Sequence, residues 1–337
     1  MKLLVTGAAG FLGTHVCSLF RDMGWDVLGI DSLTDFELKR AKFDIEKSRE
    51  HNLNFLHKIG VTFWKKDCRN ITAGQILDDY GRLDFIIHCA AQPAMTVALE
   101  DPKYDADNNI LSIISMLQIA RKLKCPIVNC SSIHVYGNAG NENLVEGDTR
   151  FISDKEFDEN TPILTGELTP LHVSKYATEL YVKSFSQMYG VRAANFRFTG
   201  MYGERQFGGM DHGWVANFVI RAKTNKPVTV FGTSRQVRDI LYAEDAARAF
   251  YAWFSRDGSN DTFNIGGGLK NSISLKECLD YLKKEYTIAP KRQGDLWYFV
   301  CDYKKAKADF GWEPIVSNEY GLKKLCDWVE ANKNILL

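Results

Sequence analysis

Short apolar runs alternate with longer amphipathic stretches through the first half of the chain, at residues 3–6, 27–30, 61–64, 85–89 and 127–130. Apolar runs of that length suit strands buried on both faces, and the stretches between them have helical period. The pattern predicts a doubly wound parallel α/β sheet of the Rossmann type. Beyond about residue 170 the rhythm loosens. Residues 173–189 read as a long helix and 194–198 as a strand, and a glycine-punctuated loop covers 200–213. Further strands are expected at Val228–Phe231 and Thr262–Ile265, with helices near 244–254, 274–286 and 319–331. This implies a nucleotide domain over residues 1–190, to which part of 228–265 returns, and a smaller, interleaved substrate lobe made mainly of residues 191–337. The charged segment 34–58 sits where a doubly wound fold has a short connection, and it reads as a solvated helical insertion. The acidic, Gly- and Asn-rich segment 138–160 reads as a surface loop.

Composition narrows the partners. The 337 residues are 45% apolar, enough for a large core, and Lys plus Arg (42) equals Asp plus Glu (42), so no overall field draws the chain to nucleic acid or an anionic membrane. Eight cysteines are scattered without a CxxC pair, which fits reduced thiols and no metal site. No stretch reaches about 18 uninterrupted apolar residues, and the expectation is a soluble, cytoplasmic protein.

Gly7-Ala8-Ala9-Gly10-Phe11-Leu12-Gly13 follows the first apolar run and opens a helical segment. Glycines there allow a tight turn and close approach of backbone to a pyrophosphate, while a helix N-terminus supplies free N–H groups. Asp31 ends the second run, where a carboxylate accepts both ribose hydroxyls and repels a 2′-phosphate, so NAD is favoured over NADP. Asp67, with Cys68 beside it, closes the third run, and Asp67 reads equally as a helix cap and as an adenine contact. His88-Cys89-Ala90-Ala91-Gln92 closes the fourth; the small residues let backbone pass a cofactor, and His88 reads as a structural histidine.

Ser131-Ser132-Ile133-His134-Val135-Tyr136-Gly137 ends the fifth run, and Ser174-Lys175 lies at the start of the long helix. With the glycine loop, these residues resemble the extended short-chain dehydrogenase/reductase family. Within it, Ala91-Gln92-Pro93-Ala94-Met95, Met201-Tyr202-Gly203-Glu204-Arg205-Gln206-Phe207, the 211–214 segment and Gln236-Val237-Arg238-Asp239 are similar to the CDP-tyvelose (CDP-paratose) 2-epimerases. The resemblance implies that Ser132 hydrogen-bonds the reacting sugar oxygen. It also implies that Lys175 binds the nicotinamide ribose and that Asn109 supports the lysine. Met95 would border the sugar, and Arg238 and Arg292, with Arg205 as a third candidate, would grip a diphosphate through the planar guanidinium fork. Trp297 replaces an arginine of those epimerases.

The family's proton acceptor is a tyrosine four residues before the lysine, one helical turn away on the same face, where the ammonium lowers its pKa. Here that residue is Leu171. His134 and His172 are the candidate replacements. His134 ranks first because related dehydratases carry an acid in its segment, and because His172 is rotated by about 100° from the Lys175 face; Tyr202 and His212 follow. The literal Tyr303–Lys307 spacing is taken as accidental. Ile133 and His134 replace the Asp-Glu pair of the dehydratases, which disfavours 4,6-dehydration. The expectation is an NAD-dependent nucleotide-sugar epimerase that oxidises a hydroxyl and returns hydride, at C2 of a CDP-sugar, with UDP-sugars also open. A nucleotide-sugar dehydrogenase and a binding protein without hydride transfer are the alternatives. By family analogy the chain pairs as a homodimer through residues 105–123 and 173–189.

Overall fold

Successive residues of the central strands face opposite layers, as the two-residue period of a strand requires. Leu3 and Val5 enter one buried cluster with Val16, Phe20 and Phe250, while Leu4 enters another with Ile113, Leu117 and Val182. The computed structural model describes residues 1–34 and 36–336. Its central sheet has seven strands, β1 (Lys2–Thr6), β2 (Asp26–Asp31), β3 (Thr62–Lys65), β4 (Phe85–His88), β5 (Ile127–Ser132), β6 (Ala193–Phe198) and β7 (Thr262–Ile265). All are parallel, in the order β7-β6-β5-β4-β1-β2-β3. The Phe11–Asp22 and Ala243–Ser255 helices cover one face, and Ser112–Leu123 and Pro170–Tyr189 cover the other. The strand order reverses between β1 and β4, which opens a crevice at the carboxyl ends of the sheet.

The smaller lobe holds a parallel pair, Val228–Phe231 with Tyr286–Ala289, and a mixed sheet of Gly200–Tyr202, Val237–Tyr242, Ser272–Ser274 and Tyr298–Phe299. A boundary at residue 190 would cut the central sheet, because Ala193–Phe198 is its sixth strand. Of residues 228–265, the Ala243–Ser255 helix and Thr262–Ile265 join the nucleotide domain, whereas Val228–Phe231 stays in the lobe.

Several elements differ from the sequence expectation, among them Gly200–Tyr202, a strand at the start of the expected loop. The helix expected at 274–286 begins with a Ser274/Glu277 capping box but stops at Tyr281; Lys283 takes a left-handed φ of 51°, and Tyr286 starts a strand. The helix expected at 105–123 is Pro102–Ala106, a π turn over Asp107–Leu111, then Ser112–Leu123. The insertion forms helices Phe36–Ala41 and Ile45–Lys58, and the second is a wall rather than a solvated excursion. Its Ser48, Asn52 and Leu56 are buried, and His51 meets Phe207 and Trp328 edge-on. Among the described residues no helix is long and apolar enough to cross a membrane, and no cluster of His, Cys, Asp or Glu is arranged to hold a metal ion.

Candidate active site

A cleft of about 630 Å³ runs along the carboxyl ends of the strands and on between the sheet and the lobe. At one end the glycine loop lies against β4. Gly7 has φ of +65°, and a Cβ there would fall 2.8 Å from the Ala90 nitrogen; a Cβ on Gly13 would fall 2.1 Å from the Gly7 carbonyl oxygen. Only glycine fits either place. The Phe11–Asp22 helix starts at Gly10 with no side-chain cap, which leaves its first N–H groups to an anion. Phe11 and Leu12 line the cleft beside them.

Asp31 accepts the Ala9 N–H at 3.0 Å and the Leu33 N–H at 2.8 Å, and these bonds aim the carboxylate into the cleft. Burial pushes its pKa up, against the pull of the same bonds. Asp67 caps the Cys68–Asn70 turn through the Arg69 N–H at 2.9 Å and pairs with the Arg69 guanidinium at 2.6 Å, which holds its carboxyl below the usual range. It is a cap and also lines the cleft beside Cys68, whose thiol burial pushes up to about 12. Ala90, Ala91 and Gln92 line the floor.

Asn109 does not line the cleft; from the π turn it accepts the Gln92 N–H at 2.9 Å and donates to Asp105 at 2.9 Å and Ser174 at 3.1 Å. It braces the cleft floor against the Lys175 helix. His88 bonds Thr6 at 2.8 Å and Ser112 at 3.1 Å, and burial holds it neutral, down to about 3, in a structural place.

Sequence reasoning missed the contribution of the insertion. Ser48, Arg49 and Asn52 line the cleft, and Asn52 donates to the Ala9 carbonyl at 2.8 Å. The signal was the spacing of Ser48, Asn52 and Leu56 on one helical face, which two polar residues made look solvated. Phe55 of the same helix lies 4.1 Å beneath the guanidinium of Arg205, whose φ is +62°.

Ser132 ends β5, and its Oγ accepts the His134 N–H at 3.2 Å, capping the short Ile133–Tyr136 turn. Lys175 is buried but borders the cleft, with Nζ 3.4 Å from the Cys130 carbonyl oxygen. It forms no ion pair among the described residues, and burial pushes its pKa down. Leu171 lies one turn before it, fully buried yet on the cleft wall. His134 also lines the cleft and stacks on His172, with ring centroids 5.5 Å apart. Burial, together with His172, Arg238 and Lys175, pushes His134 down to about 3.

His172 does not line the cleft. Its Nδ1 accepts the Thr169 N–H at 3.0 Å, a cap on its own helix, and burial lowers it to about 4. Tyr202 is sealed in the lobe core, 1% exposed, and His212 lines the cleft. Tyr303 lies off the cleft, edge-on to Trp312.

A buried network ties these elements together. Glu179, one turn beyond Lys175, accepts from Ser131 at 2.6 Å and pairs with Arg197 of β6 at 2.7 Å. Arg197 in turn donates to the Tyr136 hydroxyl at 2.9 Å.

At the lobe end, Arg238 donates to the Val237 and Leu296 carbonyls, and burial pushes it down to about 10 against the pull of Asp295 and Asp239. Arg292 donates to the Met210 carbonyl at 2.8 Å and lies 3.7 Å over the Phe231 ring. Both line the cleft with Met95 and Arg205, whereas Trp297 stacks flat on Phe151, 5.6 Å between centroids, outside it. The cleft thus joins a dinucleotide cradle, a serine and a buried lysine at its centre, and guanidinium groups at the far end.

Known proteins resemble this chain in sequence and fold. A model of the NAD dependent epimerase/dehydratase family matches residues 3–266. A CDP-paratose 2-epimerase of Salmonella typhi is 32% identical over 350 aligned positions, covering 98% of this chain and 100% of that one. A UDP-glucose 4-epimerase of Thermotoga maritima, solved with UDP-glucose, superposes with a TM-score of 0.79 at 28% identity, covering 99% of this chain and 100% of that one. A UDP-glucose 4-epimerase of Thermus thermophilus, solved with NAD, gives 0.78 at 25% identity, covering 98% and 100%. A glycine loop that admits no Cβ, an aspartate at the end of β2 and a match spanning most of the sequence make this chain an enzyme of the NAD-dependent epimerase/dehydratase family.

Proposed function

We propose that the protein is a nucleotide-sugar epimerase that oxidises a sugar hydroxyl to a ketone and restores it with the opposite configuration, at C2 of a CDP-sugar. The observation that carries this is the placement of Ser132 and Lys175 in one cleft between the glycine loop and the Arg238–Arg292 end. The full-length similarity to a CDP-paratose 2-epimerase supports the carbon and the nucleotide. NAD, when bound, supplies the hydride acceptor and donor.

The chain's own residues do the rest. Asp31 holds the adenosine ribose and disfavours a 2′-phosphate. The Ser132 hydroxyl hydrogen-bonds the reacting oxygen. Lys175 binds the nicotinamide ribose and favours negative charge on that oxygen. Arg238 and Arg292 hold the diphosphate. Leu171, on the cleft wall, helps exclude water.

The test is to assay purified protein for retained NAD and to incubate it with CDP- and UDP-sugars. Epimerised sugar without net NADH supports the reading, and stoichiometric NADH release identifies a dehydrogenase instead. Binding of NAD and nucleotide without conversion identifies a protein that has lost hydride transfer. The exposed Leu99, Leu111, Val173, Leu180 and Met188, all on or beside the two long helices, support a homodimer through that face. Sedimentation of Leu180→Lys as a monomer and of the wild type as a dimer tests it.

A further inference from the structure

With Leu171 in place of a proton acceptor, the reaction needs another group beside Ser132. We propose that the His134 imidazole takes the hydroxyl proton as the sugar is oxidised and returns it as the sugar is reduced, and that diphosphate binding at Arg238 readies it to do so. The inference rests on the epimerase reading above.

Geometry singles out His134 among the groups around Ser132. It lies on the same capped turn, held through its own N–H to Ser132 Oγ, and its ring borders the cleft. Several other titratable groups are committed elsewhere. His172 accepts the Thr169 N–H, the thiols of Cys89 and Cys130 face each other at 3.6 Å, and Asp295 sits under the charges of Arg238 and Arg292. Lys175 is a cation, held so in part by the charge of Asp105, and has no ion-pair partner among the described residues to take its proton.

His134 Nδ1 is enclosed without a partner, which leaves Nε2 as the nitrogen able to meet a hydroxyl. A neutral ring is what an acceptor requires, and the surroundings keep it neutral. The stack on His172 fixes the ring plane, and burial lowers the His172 pKa to about 4.

The charged and titratable groups that bear on His134 are His172 and Lys175 from the Pro170–Tyr189 helix and Arg238 from the Val237–Tyr242 strand. All three oppose protonation. A diphosphate on Arg238 offsets one of those charges, so the imidazole becomes a stronger base when substrate is in place.

The balance of the step is simple. The O–H proton goes to Nε2, the hydrogen on the same carbon leaves as hydride to NAD⁺, and C=O forms. Reversal on the opposite face of the carbon returns both, with no net change in cofactor.

The experiment compares wild type with His134→Gln and His134→Asn, each alone and combined with Leu171→Tyr. Retained NAD and CDP affinity are measured alongside sugar conversion. General acid–base catalysis is worth about 10²–10⁴-fold, so conversion is expected to fall at least about 100-fold while both binding readouts stay within about 3-fold. Leu171→Tyr should restore at least about tenfold in either background, because it supplies an acceptor on the Lys175 face. A second readout needs no turnover. In ¹⁵N spectra of wild-type protein titrated downward from about pH 6, the midpoint of the His134 ring signal should rise when CDP is added.

Conversion by His134→Gln and His134→Asn within about 3-fold of wild type overturns the assignment. If the variants lose NAD through misfolding, an unmoved His134 midpoint in the wild type overturns it instead. A wild-type protein that binds NAD and converts no sugar overturns the epimerase reading, and His134 falls with it.

Discussion

Replacing Glu179 by alanine removes the acid at the centre of the buried network without touching the cleft. Glu179 and Arg197 are 4% and 6% exposed, and the carboxylate takes two bonds from the guanidinium and one from Ser131. In Glu179→Ala the guanidinium stays buried with the Tyr136 hydroxyl as its remaining polar contact, and Ser131 loses its acceptor. Breaking a buried pair from one side costs about 3–5 kcal/mol, most of it the penalty on the stranded charge. For 337 residues the unfolding entropy is about 0.7 kcal/mol per degree, so the melting midpoint should drop by about 4–7 °C. Urea unfolding followed by far-UV circular dichroism measures the energy, and calorimetry measures the midpoint. The double variant Glu179→Met/Arg197→Met strands no charge and should lose less than Glu179→Ala alone. A cost for Glu179→Ala below about 1 kcal/mol, the range of an exposed pair, or a double variant weaker than the single, refutes the reasoning. The loss should reach the chemistry as well, since Ser131 adjoins Ser132 and Glu179 lies one turn beyond Lys175.

Three further outcomes are expected. Gly13→Ala places a methyl 2.1 Å from the Gly7 carbonyl, and an overpacking penalty of about 1–3 kcal/mol on the loop should weaken NAD binding about 5- to 150-fold, read by calorimetry; unchanged affinity would show that the cradle yields. Arg238→Met should weaken CDP binding at least about tenfold and leave NAD affinity alone, and equal loss of both would mean the arginine holds the fold rather than the diphosphate. His88 is held neutral down to about 3, so between its ordinary value of 6.5 and that point the unfolded chain binds a proton that the folded chain refuses. Stability is lost as pH falls below 6.5, by about 1.4 kcal/mol per pH unit for this ring, and His88→Gln should flatten the slope of stability against pH by that amount between about pH 6 and 5.

Much of the fold was legible because burial on both faces leaves an unmistakable trace. Val228–Phe231 and Thr262–Ile265 are strands at their expected bounds, and the glycine loop, Asp31 and the long helix lie where their spacing put them. Local pattern fails where a distant partner decides. Gly200–Tyr202 is a strand because Val237–Tyr242 pairs with it, and Tyr286–Ala289 because Val228–Phe231 does. Asn52 reads as a solvated polar residue until the Ala9 carbonyl appears beneath it. Glu179 and Arg197 carry no mark of their pairing, since their separation in sequence is bridged only by the layering of helix on sheet. In the site, the absence of a tyrosine at Leu171 was plain from the sequence. That His172 caps its own helix while His134 borders the cleft required three dimensions.

The seventh strand of the nucleotide sheet is Thr262–Ile265, and the helix before it, Ala243–Ser255, packs on the Phe11–Asp22 helix. During synthesis, the cradle for the dinucleotide therefore waits for a segment that leaves the ribosome late, after much of the smaller lobe. Until then β6 is an unpaired edge and Phe263 and Ile265 have not yet joined Phe196 and Phe250 on their side of the sheet. A chain cut before residue 262 should be captured by chaperones or aggregate rather than yield a free-standing nucleotide-binding unit, and the two lobes should be gained and lost as one cooperative body.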